Sequence, residues 1–247
     1  MSKVSFVIPC YRSARTIESV VAEIQSTMAS MPAYTYDVIL VNDCSPDDTY
    51  EVIKNLCARY SSITGISLAK NFGQHAALMA GLRRSDGDIV VCLDDDGQTP
   101  ADEVGKLLER IEGGSDVVYA SYGDKKHSAF RNFGTWMNDM MTRIMLGKPK
   151  DLHLTSYFAA KRFVVDSMLR YENSYPYIIG LVLRATRNIS NVPVNHRSRA
   201  IGASGYTMKK LLGLIGEYIG RIYISINNSP QYVVREETHS AERDCGE

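Results

Sequence analysis

Three consecutive carboxylates, Asp94-Asp95-Asp96, follow directly on an apolar run at residues 89–93. A chain that leaves a buried strand into three acids concentrates negative charge at one point, which is costly unless solvent or a cation meets it. Alternate residues of an extended segment point the same way, so Asp94 and Asp96 can share one ligand while Asp95 faces elsewhere. Hard carboxylate oxygens suit Mg²⁺ or Mn²⁺, above all a cation already partnered by a diphosphate. An ordinary solvated acidic turn is the competing reading. Asn42-Asp43 closes a second apolar run, and Cys10-Tyr11-Arg12 closes a third at residues 4–9. Asp43 is placed either to accept from a nucleobase imide N–H, with Tyr11 stacked on the ring, or to sit as an acid at a helix N-terminus.

These groups work together only if a scaffold gathers strand ends. Short apolar runs at 4–9, 38–42, 63–68, 89–93 and 117–119 alternate with segments of helical period. Ile17, Val20, Val21, Ile24 and Met28 mark one buried helix face; Val52, Ile53, Leu56 and Cys57 mark a second, and Ala76, Leu78, Met79 and Leu82 a third. Ser45-Pro46-Asp47-Asp48 reads as a helix start with a serine cap and a first-turn proline. Strand–helix alternation predicts an α/β fold, a mainly parallel sheet flanked by helices, whose ligands bind beyond the carboxyl ends of the strands. Later, helices are expected at 127–146, 162–171, 177–186 and 206–226, with a strand at 156–160. The last is amphipathic, with Leu211, Ile215, Tyr218, Ile222 and Ile226 on one stripe, and the charged tail from Arg235 reads as frayed.

The chain has 247 residues, 28 basic and 28 acidic side chains and 45% hydrophobic residues. Balanced charge argues against nucleic acid as a partner, and the apolar content argues against disorder. Five cysteines without a CxxC pair read as reduced and cytoplasmic. The N-terminus runs straight into a strand pattern, and no stretch reaches the ~20 apolar residues of a spanning helix. His75 opens a helical segment and reads as packing or capping, and the other four histidines lack metal-ligand spacing.

Four motifs fall in order: Val-Ser-Phe-Val-Ile-Pro-Cys-Tyr (4–11), Val-Asn-Asp-Cys-Ser-Pro-Asp-Asp-Thr (41–49), Lys-Asn-Phe-Gly-Gln-His-Ala-Ala-Leu (70–78) and Asp-Asp-Asp-Gly-Gln-Thr-Pro (94–100). Together they resemble family 2 glycosyltransferases of the GT-A fold, within them the polyprenyl-phosphate transferases related to dolichol-phosphate mannosyltransferase. The resemblance covers residues 3–235. It implies one GT-A domain with a nucleotide-sugar half (1–122), an acceptor-side half (123–205) and a C-terminal amphipathic helix and tail (206–235). It implies that Asp94 and Asp96 hold Mg²⁺ or Mn²⁺ on the donor diphosphate, with Asp95 beside them on the nucleotide sugar. By the same resemblance Pro9, Tyr11, Asp43, Lys70 and Asn71 meet the nucleotide, and Gln98 lies near the reacting sugar. Arg131, Arg199 and Ser204 would meet the acceptor phosphate, with Arg199 also helping catalysis. The implied donor is a UDP-sugar in preference to a GDP-sugar, the acceptor a polyprenyl phosphate, and the setting the cytoplasmic membrane surface. A homo-oligomer is left open.

Three departures qualify the resemblance. Thr155-Ser156-Tyr157-Phe158 stands where many relatives carry Gly-Asp-Phe-Arg, so a serine replaces an acid able to act as general base. Gly205 stands where a lysine is common. Finally, residues 216–223 and 230–235 match a segment that in relatives follows a pair of transmembrane helices, yet here they come almost directly after Lys210, as if the hairpin had been excised. A soluble transferase acting on a glycan or lipid-linked sugar hydroxyl, or a silent nucleotide-sugar-binding protein, are the alternatives these departures leave.

Overall fold

A computed structural model describes residues 1–122, 149, 152–195 and 230–239. Eight strands, β1 (Ser2–Cys10), β2 (Tyr34–Asn42), β3 (Ile63–Leu68), β4 (Ile89–Cys92), β5 (Val117–Tyr122), β6 (Phe158–Lys161), β7 (Ile189–Val194) and β8 (Val234–His239), form one sheet in the order β7-β5-β6-β4-β1-β2-β3-β8. β4, β1, β2 and β3 run parallel, β6 runs against β4 and β5, and β8 against β3. The five strands expected in the first half and the parallel centre are all present.

The central strands are apolar almost throughout because both faces of the sheet are covered. Along β1, Val4, Phe6 and Ile8 point into one core with α1 (Ile17–Ala29), α2 (Thr49–Arg59) and α4 (Val104–Glu112). Val7 points into the other, with α3 (Gln74–Arg84), α5 (Arg162–Leu169) and α6 (Ile178–Ala185). The periodic residues of α1 are all buried, as their spacing requires. On α3, Gly81 lets the helix lie close on the sheet, since a Cβ there would come 2.3 Å from Val7 Cγ1.

Two expectations are corrected. Ser45 does not cap α2, which begins at Thr49. The Ser45 hydroxyl instead accepts the Arg12 N–H at 2.7 Å and donates to Asp47 Oδ1 at 2.5 Å, so this stretch braces the loop after β1. Nor is the chain frayed from Arg235. Residues 234–239 pair antiparallel with β3, Thr238 opposite Gly65, with Arg84 Nε 2.5 Å from Glu237 and the Tyr50 hydroxyl 3.0 Å from Thr238 Oγ1. A charged strand is what an exposed sheet edge tolerates. The helices expected at 127–146 and 206–226 lie outside the described residues, as do Arg131, Arg199 and Ser204. Among the described residues no helix is long and apolar enough to cross a membrane.

Candidate active site

The parallel strands deliver their carboxyl ends to one rim, and antiparallel β6 starts from that same rim. Sheet order therefore sets out, side by side, Ser156 (before β6), Asp94 (after β4), Pro9–Tyr11 (β1), Asp43 (after β2) and Asn71 (after β3). Four strand intervals span about 19 Å. A hollow of about 430 Å³ follows this line, walled by Pro9, Cys10, Tyr11, Asp43, Asn71, Gly73, Gln74, Asp94, Asp95, Asp96 and Ser156. Seven residues singled out in the sequence thus converge on it. Lys70 and Gln98 are not on its wall. Lys70 lies with its Nζ 4.9 Å from the Phe72 ring centre and borders a neighbouring hollow of about 320 Å³ that shares Asn71.

Each acid is held differently. Asp43 is buried, and its two oxygens accept the Phe72 and Gly73 N–H groups at 2.7 and 2.8 Å. It thereby shapes the turn into α3, where Gly73 has φ 90°, a conformation that favours glycine. Burial pushes its carboxyl above the ordinary range, and the two N–H groups oppose the shift. Asp95 turns to the loop after β1, accepting the Tyr11 N–H at 3.0 Å and the Ser13 hydroxyl. Asp94 accepts from Gln74 Nε2 at 2.9 Å on Oδ1 and from the Ser156 hydroxyl on Oδ2. Burial raises the carboxyls of Asp94 and Asp95, and for Asp94 its two acidic neighbours add to the effect. Asp96 Oδ1 accepts the Gln98 N–H at 3.0 Å, so Gln98 meets this acid through its backbone.

The left-handed residues Arg12 (φ 60°) and Cys44 (φ 51°) immediately follow Tyr11 and Asp43 at this rim. Strain of this kind persists where the surroundings over-determine it. Tyr11 stays exposed, the Arg12 guanidinium 5.5 Å from its ring centre.

The donor set fits a hard divalent cation bound together with its ligand. Asp94, Asp95 and Asp96 all line the hollow, and one oxygen of Asp95 is engaged by the Tyr11 N–H and the Ser13 hydroxyl. Among the described residues no three His, Cys, Asp or Glu side chains form a closed cage. Mg²⁺ typically takes one or two carboxylates and completes its shell from phosphate oxygens and water. Gln74 and Ser156 are the residues that sequence reasoning left without a place here. Gln74 lies inside the 70–78 motif and Ser156 stands in place of an acid, and neither local sequence signals a pairing with Asp94.

The family model described as Glycosyl transferase family 2 matches residues 5–169. The chain is 31% identical over 220 residues to the undecaprenyl-phosphate 4-deoxy-4-formamido-L-arabinose transferase of Yersinia enterocolitica, covering 89% of this chain and 67% of that protein. Against the protein of that name from Yersinia pestis (strain Pestoides F) it is 33% identical over 222 residues, with 89% and 67% covered. In fold it is similar to glucosyl-3-phosphoglycerate synthase from Mycobacterium tuberculosis in complex with Mn²⁺ and UDP-glucose. That match has TM-score 0.60 and 20% identity, over 90% of this chain and 80% of that one. Mannosyl-3-phosphoglycerate synthase from Rubrobacter xylanophilus gives TM-score 0.55 and 16% identity, with 90% and 73% covered.

Proposed function

Because this chain belongs to glycosyl transferase family 2, and is on that account a glycosyltransferase, we propose that it moves a sugar from a nucleoside diphosphate donor onto a polyprenyl phosphate. The setting is the cytoplasmic face of a membrane, and the anomeric carbon is inverted. The acceptor class is supported by the undecaprenyl-phosphate transferases that the chain resembles over 89% of its length. A uridine donor with a divalent cation is supported by the Mn²⁺ and UDP-glucose held by the synthase that shares the fold.

The observation that carries the reading is Ser156. In the hollow, the position beside Asp94 holds a hydroxyl, which is not a base, and Asp94 and Asp96 are the acids assigned to the cation. A hydroxyl acceptor needs a base to take its proton. A phosphate monoester, with a second pKa of about 6, is already ionised at neutral pH and needs none. Its oxygen attacks the anomeric carbon, the bond from that carbon to the diphosphate oxygen breaks, and the electron pair leaves with the nucleoside diphosphate. No proton changes hands.

The chain's own residues orient the donor along the rim. Asp43 holds the turn that presents Asn71 at the nucleoside end, Tyr11 offers an open ring for stacking, and Asp94 and Asp96 would hold the cation at the diphosphate. When bound, that cation supplies positive charge against the charge that grows on the leaving diphosphate. Arg199, Ser204 and Arg131 complete the proposal toward the phosphates. The test is transfer from UDP-sugars to a short-chain polyprenyl phosphate with Mn²⁺, followed as glycolipid formed and UDP released. Asp96→Ala is expected to abolish both. Normal turnover by that variant would reject the site, and transfer to a free hydroxyl in preference to the phosphate would reject the acceptor.

A further inference from the structure

We propose that Gln74 and Ser156 are positioning residues that set the Asp94 carboxylate for the divalent cation. The inference rests on the cation site of the reading above and is independent of the acceptor. Asp94 is half-buried, two residues past the end of a short strand, with Asp95 and Asp96 directly after it. A carboxylate torsion is broad and roughly two-fold, so a single donor would leave it free to swing. Here the two donors act on different oxygens, Gln74 Nε2 on Oδ1 at 2.9 Å and the Ser156 hydroxyl on Oδ2, which fixes the plane of the group.

The two donors come from different elements. Gln74 is the first residue of α3. Ser156 approaches across the β4–β6 pair, in which Cys92 faces Phe158, so two steps outward on each strand bring residues 94 and 156 together. Both donors line the hollow. Both are also neutral. A lysine or arginine in either place would hold the carboxylate as firmly but would oppose an incoming cation. An ionised carboxylate has about four acceptor positions, so one bond on each oxygen leaves others for the cation. Groups that orient a ligand in this way typically change metal affinity 10–100-fold when removed.

The experiment uses the full chain and reads nucleotide binding instead of turnover. Retention of UDP in equilibrium dialysis is followed as Mn²⁺ is raised. Gln74→Met keeps side-chain length and removes the N–H, and Ser156→Ala removes the hydroxyl. Each is expected to raise the half-saturating Mn²⁺ concentration roughly 10-fold or more, whereas Ser156→Thr, which keeps the hydroxyl, stays near the parent. Melting temperature without Mn²⁺ is expected to match the parent, which separates positioning from misfolding. If the parent itself shows no Mn²⁺-dependent retention, the cation site fails and this inference with it. If the parent responds and both Gln74→Met and Ser156→Ala titrate as it does, this inference alone is overturned.

Discussion

At the scale of single residues the site is a set of carboxylates held at a cost. Burial raises Asp43, Asp94 and Asp95 above the ordinary carboxylate range. Between the unfolded and folded pKa values the folded chain holds more protons than the unfolded one. These groups therefore favour the fold at the acid side of that window and cease to favour it as pH rises through the window. A divalent cation acts in the opposite sense, because it binds ionised Asp94. The stabilisation by Mn²⁺ is expected to be larger at about pH 7.5 than at about pH 5, and equal gains in melting temperature at both values would contradict the assignment. The pattern of three acids after an apolar run was readable without a structure. What engages Asp95 was not, because its partners Tyr11 and Ser13 lie 84 and 82 residues away.

At the scale of elements, α3 matters most. Its N-terminus brings Gln74 to Asp94, and the turn before it is tied to Asp43. Its position over the sheet depends on Gly81, where a Cβ would meet Val7 Cγ1 at 2.3 Å and Val41 Cγ2 at 3.1 Å. Valine is stiff at χ1, and both valines are buried. Overpacking costs about 1–3 kcal/mol against the roughly 1 kcal/mol that alanine gains in helix propensity, so Gly81→Ala is expected to destabilise by up to about 2 kcal/mol net. Chemical denaturation would measure it, and Val7→Ala in the same chain should recover most of the loss by opening space. The helical period over 76–82 identified the buried face of α3, but period alone carries no information on how near the sheet that face lies. β8 makes the same point from the other side. Its residues are charged and read as a frayed tail, and they form a strand only because β3 offers an unpaired edge.

At the scale of the whole molecule, the rim joins five neighbouring strands into one site, so a ligand laid along it should stabilise the fold as a unit. At a hundredfold excess over its dissociation constant a ligand adds about 2.7 kcal/mol. At about 2–4 °C per kcal/mol for a chain of this size, UDP with Mn²⁺ is expected to raise the melting temperature by several degrees. Mn²⁺ alone or UDP alone should do less, and a nucleotide shift indifferent to Mn²⁺ would separate the acids from the donor. The sequence by itself determined the α/β class, the order of the strands along the chain, the acids at their ends and the likeness to family 2 glycosyltransferases. All of these rest on local period and on short contiguous motifs. Only the tertiary structure decided that Ser156 and Gln74 meet on Asp94, that Lys70 lies off the wall of the hollow, and that residues 234–239 complete the sheet. Each of those depends on which strands become neighbours, and a pairing between residues 62 positions apart leaves no periodic trace in either segment.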